Sequence, residues 1–444
     1  MSTGRQDASR WATGLIDQEA LALLTRLGQH RPFVVTETMV LAAALPYSAH
    51  RGIEQVLLES RATLRREVER FRAWLRGPGR KVSAEEQQRR FVGIRLKFND
   101  VLSQLDLFAE VITQRSESGT GVWLSGLDHL AAEALELPGR WFEPPPVVCY
   151  LARGPGAAIR RARTRLPGGR PSPVAIVRVP RERMVGHGIA SSLVHEVGHQ
   201  GAALLGLVES LRHEIGERRR RGRTVIPWAS FERTVSECVA DFWSIGKLGI
   251  ASTLGLLAVV SLPRFFVFRP PGEDPHPMPY IRVLLSASVG DTLYPHPQWR
   301  ALADAWRALY PVSDLPVERR WEIERLEQSL PAMADLMASH RSAALGGHQL
   351  ADLMPLDARR PEQLLALHRA WGDDIGVLTR QPPTLVFAVL GQARAMGLVN
   401  PVHESRVLSD VLTAWAVRSS LDVVERAASS TASFPPRRRT AVQS

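Results

Sequence analysis

The stretch SSLVHEVGHQ, Ser191–Gln200, carries two histidines four residues apart, with a glutamate directly after the first. On an α-helix, positions i and i+4 lie one above the other, so His195 and His199 face one point in space. Two imidazole nitrogens about 2 Å from a Zn²⁺ can be supplied this way without bending the backbone. Glu196, one residue on, flanks such a metal instead of binding it, which suits a base acting on a metal-activated water. Gly198 costs about 1 kcal/mol of helix propensity relative to Ala, which makes sense if something approaches the backbone closely. The competing reading is a helix that merely presents two histidines on a polar face.

A catalytic zinc needs a third protein ligand and an open position. Downstream lies TVSECVADFWSIGK, Thr234–Lys247, which reads as a helix with Glu237 and Asp241 again four apart. Glu237 suits the third ligand, and Asp241 suits the acceptor of a ligating histidine's outer N–H. Thirty-seven residues separate His199 from Glu237. That is room for the rest of the first helix, an arginine-rich loop and the start of a second helix packed against it. The alternative is a pair of exposed carboxylates, but the neighbours Val235, Cys238, Val239, Phe242 and Trp243 are apolar. Carboxylates in such company tend to be buried and paired.

HEVGH followed by ECVAD resembles the gluzincin branch of the zincin metallopeptidases. A third stretch, DPHPMPYIRVLL (Asp274–Leu285), is similar to the His-Pro…Arg segment of the CAAX prenyl endopeptidase and HtpX-type family. The resemblance covers roughly Pro146 to Val289. It implies one zinc ion held by His195, His199 and Glu237, with Glu196 as general base and Asp241 fixing a histidine tautomer. It also implies that His276 and Arg282 lie near the site, polarising the carbonyl or holding the Glu-bearing helix, and that Tyr280 stabilises an oxyanion. For His276, a buried structural histidine is the alternative. The run PVAIVRVP (Pro173–Pro180) fits the strand that binds extended substrate in that fold, through main-chain hydrogen bonds. His187 reads as a helix-start residue. The activity implied is hydrolysis of peptide bonds in a protein or peptide substrate. Unlike the prenyl endopeptidases, this chain shows no convincing spanning helix. Its longest apolar run, Leu248–Leu262, is shorter than the roughly 20 residues a span needs, and a buried core helix is expected there.

With 444 residues, 45% hydrophobic and 23% charged, the chain has material for two or three domains and a sizeable core. Two cysteines, Cys149 and Cys238, cannot build a disulfide framework, and a cytoplasmic, reducing location is expected. The N-terminal residues show no apolar secretory segment. The net charge of +11 favours acidic partners, with arginine clusters at Glu217–Arg223 and Pro435–Arg439. Both read as a solvated loop and a disordered tail, and no nucleic-acid recognition motif accompanies them. Rival functions are a non-catalytic zincin scaffold that binds a partner, a nucleic-acid-associated protein, and a peripheral membrane enzyme using Leu248–Phe268.

The fold class expected is α+β, predominantly helical, with a zincin-like core between helical flanks. Residues 1–118 read as a helical hairpin or bundle, with Ser83 and Glu86 forming a capping box. A break at Ser116–Gly121 opens the core at 119–300, with strands at Val147–Ala152 and Pro173–Pro180. Gly154–Gly169 between them reads as a short helix or ordered loop. Residues 301–429 read as helical, and 430–444 as a disordered basic tail.

Overall fold

A computed structural model of the chain describes residues 2–29, 39–139, 141–153, 156–181, 186–221, 225–270 and 275–432. Its first helices are α1 (Ser2–Gln29), α2 (Tyr47–Arg76), α3 (Ala84–Thr113) and α4 (Ser118–Leu135). On α2, Ile53, Leu57, Leu64, Val68, Phe71 and Leu75 are buried at helical spacing. They form one core with α1 and α3, as the amphipathic pattern predicts. The start of α3 is half a capping box: Ser83 Oγ accepts from Glu86 N at 3.2 Å, but the Glu86 carboxylate turns to Arg90. The expected break at Ser116–Gly121 is instead where α4 begins, a helix that the composition change concealed.

Strands β1 (Val147–Ala152), β2 (Ala158–Arg160) and β3 (Ala175–Pro180) form one sheet in the order β1-β3-β2. β1 and β3 run parallel, and β2 runs antiparallel to β3. Two expectations change here. Gly154–Gly169 contributes a strand to the sheet. AIVRV also lies in the middle of that sheet, its main chain engaged on both sides, so no substrate can add along it. Alternate residues face two different cores. Val148 and Ile176 join the N-terminal bundle, while Cys149, Ala175, Val177 and Val179 face the rest of the protein.

The outer edge of β1 is closed by side chains rather than by a strand. Asp128 Oδ1 accepts from Cys149 N at 2.7 Å, and Arg115 Nη2 donates to Cys149 O at 2.6 Å. The Gln114 amide brackets Leu151 at 2.8 Å on both its N–H and its C=O. Arg115 and Asp128 are themselves a buried bidentate pair, at 2.7 and 3.1 Å.

The chain continues through α5 (Gly188–Leu204), α6 (Leu207–Arg221), α7 (Val225–Leu248), α8 (Ile250–Val260), α9 (Arg264–Val267), α10 (Pro279–Leu293), α11 (Pro297–Leu309) and α12 (Val317–Ser339). It ends with α13 (Pro361–Trp371), α14 (Ile375–Leu378), α15 (Pro383–Ala395) and α16 (Pro401–Ala432). Glu217–Arg221, expected in a loop, forms the last turns of α6, while 222 and 223 lie outside the described residues. So does 433–444 of the expected tail, including the Pro435–Arg439 cluster. The apolar run Leu248–Leu262 is divided at Gly249, whose φ of +58° ends α7 and lets α8 start in a new direction. Among the described residues no helix is long and apolar enough to cross a membrane. One hydrophobic core extends from Leu124 on α4 to Trp415 on α16, so residue 301 marks no break in packing.

α5 and α7 approach closely because of glycine. A Cβ on Gly198 would stand 2.9 Å from Trp243 Cβ and 3.0 Å from Ala240 Cα and O. The close approach suspected from Gly198 is that of the second helix itself.

Replacing Arg115 by Met should lower unfolding stability by about 3–5 kcal/mol, because Asp128 is left charged and unpaired in the core. Gly198→Ala should lose about 1–3 kcal/mol through overpacking between α5 and α7. Urea denaturation of each variant measures both effects.

Candidate metal centre

SSLVHEVGHQ lies along α5, with Leu193, Val194 and Val197 buried in the core. Ser191 Oγ donates to Ser252 O at 2.9 Å and ties α5 to α8. The rings of His195 and His199 stand 4.9 Å apart at 87° and project towards α7. There, His195 Nε2 is 3.2 Å from Glu237 Oε2, and His199 Nε2 is 3.4 Å from Glu237 Oε1. One ligand atom from each of the three side chains lies within 4.8 Å of the others.

The outer nitrogens are held as well. His195 Nδ1 is 2.8 Å from Asp241 Oδ1, and Ser236 Oγ is 3.3 Å from His199 Nδ1. With Nδ1 engaged, each ring points Nε2 at the shared centre. Arg282, on α10, donates from Nε to Asp241 Oδ2 at 2.7 Å and from Nη2 to Oδ1 at 2.8 Å. Its Nη2 also lies 3.5 Å from Glu237 Oε2. Arg282 therefore holds the Glu-bearing helix. Its guanidinium is engaged with that helix rather than presented to a carbonyl.

These charges set one another's protonation. Burial alone would lower the pKa of His195, but Asp241 and Glu237 beside it outweigh burial and push it up to about 9. Burial would raise the Asp241 carboxyl, yet Arg282 and His195 hold it down at about 2. Glu237, also opposed by burial, is held well below the usual carboxylate range by His195, His199 and Arg282.

A metal fits this arrangement on three counts. Ligands about 2.0–2.1 Å from a tetrahedral centre stand about 3.3 Å from one another, close to the 3.2 and 3.4 Å between each Nε2 and the Glu237 oxygen that faces it. Glu237 Oε2 is buried and makes no hydrogen bond, although His195 Nε2, His276 Nε2 and Arg282 Nη2 stand 3.2, 3.3 and 3.5 Å from it, so its contacts are ionic and leave its lone pairs unsatisfied. Two imidazoles and one carboxylate also suit zinc.

The remaining expected residues divide. Glu196 is 9% exposed and lines the cleft beside His195; among the described residues its carboxylate has no hydrogen-bond or ion-pair partner. His276 reaches in from the segment before α10, its Nε2 3.3 Å from Glu237 Oε2 and its side chain 45% exposed. It is thus not a buried structural histidine, and burial together with the nearby cations lowers its pKa. Tyr280 does not join the cleft. It is buried, and its hydroxyl donates to Glu327 Oε1 at 3.0 Å, so the expected oxyanion role has no geometric basis. His187 is the residue before α5 and pairs with Glu404 at 2.8 Å, away from the centre.

The cleft holds about 110 Å³. Sequence reasoning missed several of its walls: Gly156 and Ala157 ahead of β2, Ser192 and Ser244, and the apolar Leu256 and Val259 of α8. It also missed Ser236, although that residue directly precedes Glu237 and was legible as a hydroxyl on the same helix.

No family model matches the chain, and no curated protein or solved structure shows significant similarity to it.

Zinc titrated into the metal-free chain should saturate at one ion per chain, and His195→Ala and Glu237→Ala should abolish that binding. Asp241→Asn should keep the ion with affinity weakened about 10–100-fold. Binding should tighten as the pH rises towards 9, because His195 must shed a proton to coordinate. Calorimetry and metal analysis read all three.

Proposed function

We propose that the protein is a zinc-dependent metallopeptidase with a zincin-like core, in which His195, His199 and Glu237 hold the ion. The observation that carries this reading is the unengaged Glu196 carboxylate beside three converging ligand atoms whose supports are already in place. A helix with two incidental surface histidines would have no reason to gather a buried glutamate, an aspartate and an arginine around them. Burying that many charges is costly unless each is paired.

When bound, zinc would acidify a water molecule and polarise a scissile carbonyl. Glu196 accepts the proton from the attacking water and returns it to the leaving amine. Arg282 and Asp241 keep His195 in one tautomer and in place through the cycle. His276, the most exposed member of the cluster, is the side chain able to donate to the developing oxyanion once its 3.3 Å contact with Glu237 is released. With AIVRV covered, an extended substrate adds along the outer edge of β2, which has no strand beyond it among the described residues. Gly156 and Ala157 lead from that edge into the cleft, and Gln200 Oε1 fixes the end of the strand by accepting from Ala162 N at 2.8 Å.

Glu196→Gln should retain stoichiometric zinc while hydrolysis of a denatured protein substrate falls by about 10²-fold or more. Wild-type rates in that variant would remove Glu196 from the reaction, and no hydrolysis by the zinc-loaded wild type would remove the peptidase reading.

A further inference from the structure

A second recess is linked to the metal cleft through Arg178, which contacts the cleft residue Gly156. Its lining comes from Tyr150 and Leu151 on β1, from Arg153 just beyond it, from Arg178 and Arg181 at the end of β3, and from Glu110 on α3. β1 and β3 are parallel, with Ala152 opposite Pro180, so both strands deliver their arginines to the same end of the sheet. Tyr150 stands directly opposite Arg178, and Arg160, opposite Ile176, projects to the same face from β2. Three arginines thus line the recess with one carboxylate, Glu110, and Arg160 lies on the same face of the neighbouring strand. Among the described residues none of these arginines forms an ion pair with a carboxylate. Arg178 Nε is buried without a hydrogen-bond partner. Arginines are normally neutralised when brought together, and a cluster left unpaired concentrates positive potential in a concave surface.

The recess is coupled to the cleft by one contact. Arg178 Nη2 donates to Gly156 O at 3.2 Å, and Gly156 is itself a wall of the cleft. The recess holds about 580 Å³, far more than a lone oxyanion requires, and it opens to solvent.

We propose that this recess binds the carboxylates of an acidic peptide segment whose continuation enters the metal cleft. The guanidinium groups recognise an oxyanion, which a small free anion such as phosphate also carries. The choice of a peptide rests on the peptidase reading, whereas the arginine recess does not.

The test uses full-length Glu196→Gln protein, so that the probe is not cleaved. A fluorescein-labelled peptide of alternating Glu and Ala is compared by anisotropy with its Gln counterpart, and inorganic phosphate is titrated separately by calorimetry. The Glu peptide should bind about tenfold tighter than the Gln peptide at low salt, and added salt should erase the difference. Adding Arg153→Gln and Arg181→Gln, both at exposed positions, should remove the preference, and the Arg153→Lys, Arg181→Lys pair should restore part of it. An unchanged unfolding midpoint shows that the fold is kept. No preference for Glu, or a preference that survives loss of both arginines, overturns the proposal. Phosphate binding that needs the arginines, with no Glu-peptide binding, makes this a small-anion site and equally overturns it. Because the readout is binding, a failed peptidase assay leaves this result standing, and failed binding leaves the peptidase reading untouched.

Discussion

The candidate metal cleft depends on how closely α7 lies on α5. Gly198 and Gly201 remove the side chains that would hold the helices apart, and Trp243 fills the space they leave, its ring where a Gly201 Cβ would stand 2.5 Å away. Trp243 Nε1 is satisfied by Ala134 O at 2.9 Å, which anchors the same helix to α4. Only at this separation can Glu237 reach the Nε2 atoms of both histidines. Propensity is given up on α5 so that two helices can share one centre.

Bringing the helices together buries charge, and the structure compensates with a chain of pairings. Arg282 neutralises Asp241, Asp241 fixes His195, and His195 faces Glu237. Each member would be expensive alone in a low-dielectric interior, and each is tolerable because its neighbour is of opposite sign or shares a proton. The chain of contacts crosses three helices, α5, α7 and α10, so the electrostatics also fix the tertiary arrangement. The acid that the pairings leave out is Glu196, which keeps its carboxylate available on the proposed reaction face.

The small sheet separates two cores and connects two surfaces. One of its faces joins the N-terminal bundle, and the other joins the helices of the candidate metal centre. Side chains from the α3–α4 junction close its β1 edge, leaving β2 as the outer strand on the other side. The N-terminal helices therefore do more than flank the core: Gln114 and Arg115 bond the β1 main chain, and Asp128, on the next helix, completes the pairing.

Periodicity and local spacing were enough to establish the faces of the helices that carry the candidate metal site. The i, i+4 pairs His195/His199 and Glu237/Asp241 place their side chains on single helix faces whatever surrounds them, and the apolar neighbours of Glu237 show that its face is buried. The helical pattern of α2 and the β-type runs of β1 and β3 were legible for the same reason. Which groups from distant elements meet is a matter of packing, and no local pattern encodes it. Tyr280 and Arg282 are two residues apart on α10 and so point in different directions, one to Glu327 and one to Asp241. AIVRV reads as a strand, but nothing within it states that β1 and β2 will cover both of its edges. β2 has only three residues in an arginine-rich run, too short for alternation to register, and α4 begins inside a Ser/Gly stretch that looks like a break. Local spacing fixes the direction of a side chain; only the packing of the whole chain fixes what it finds there.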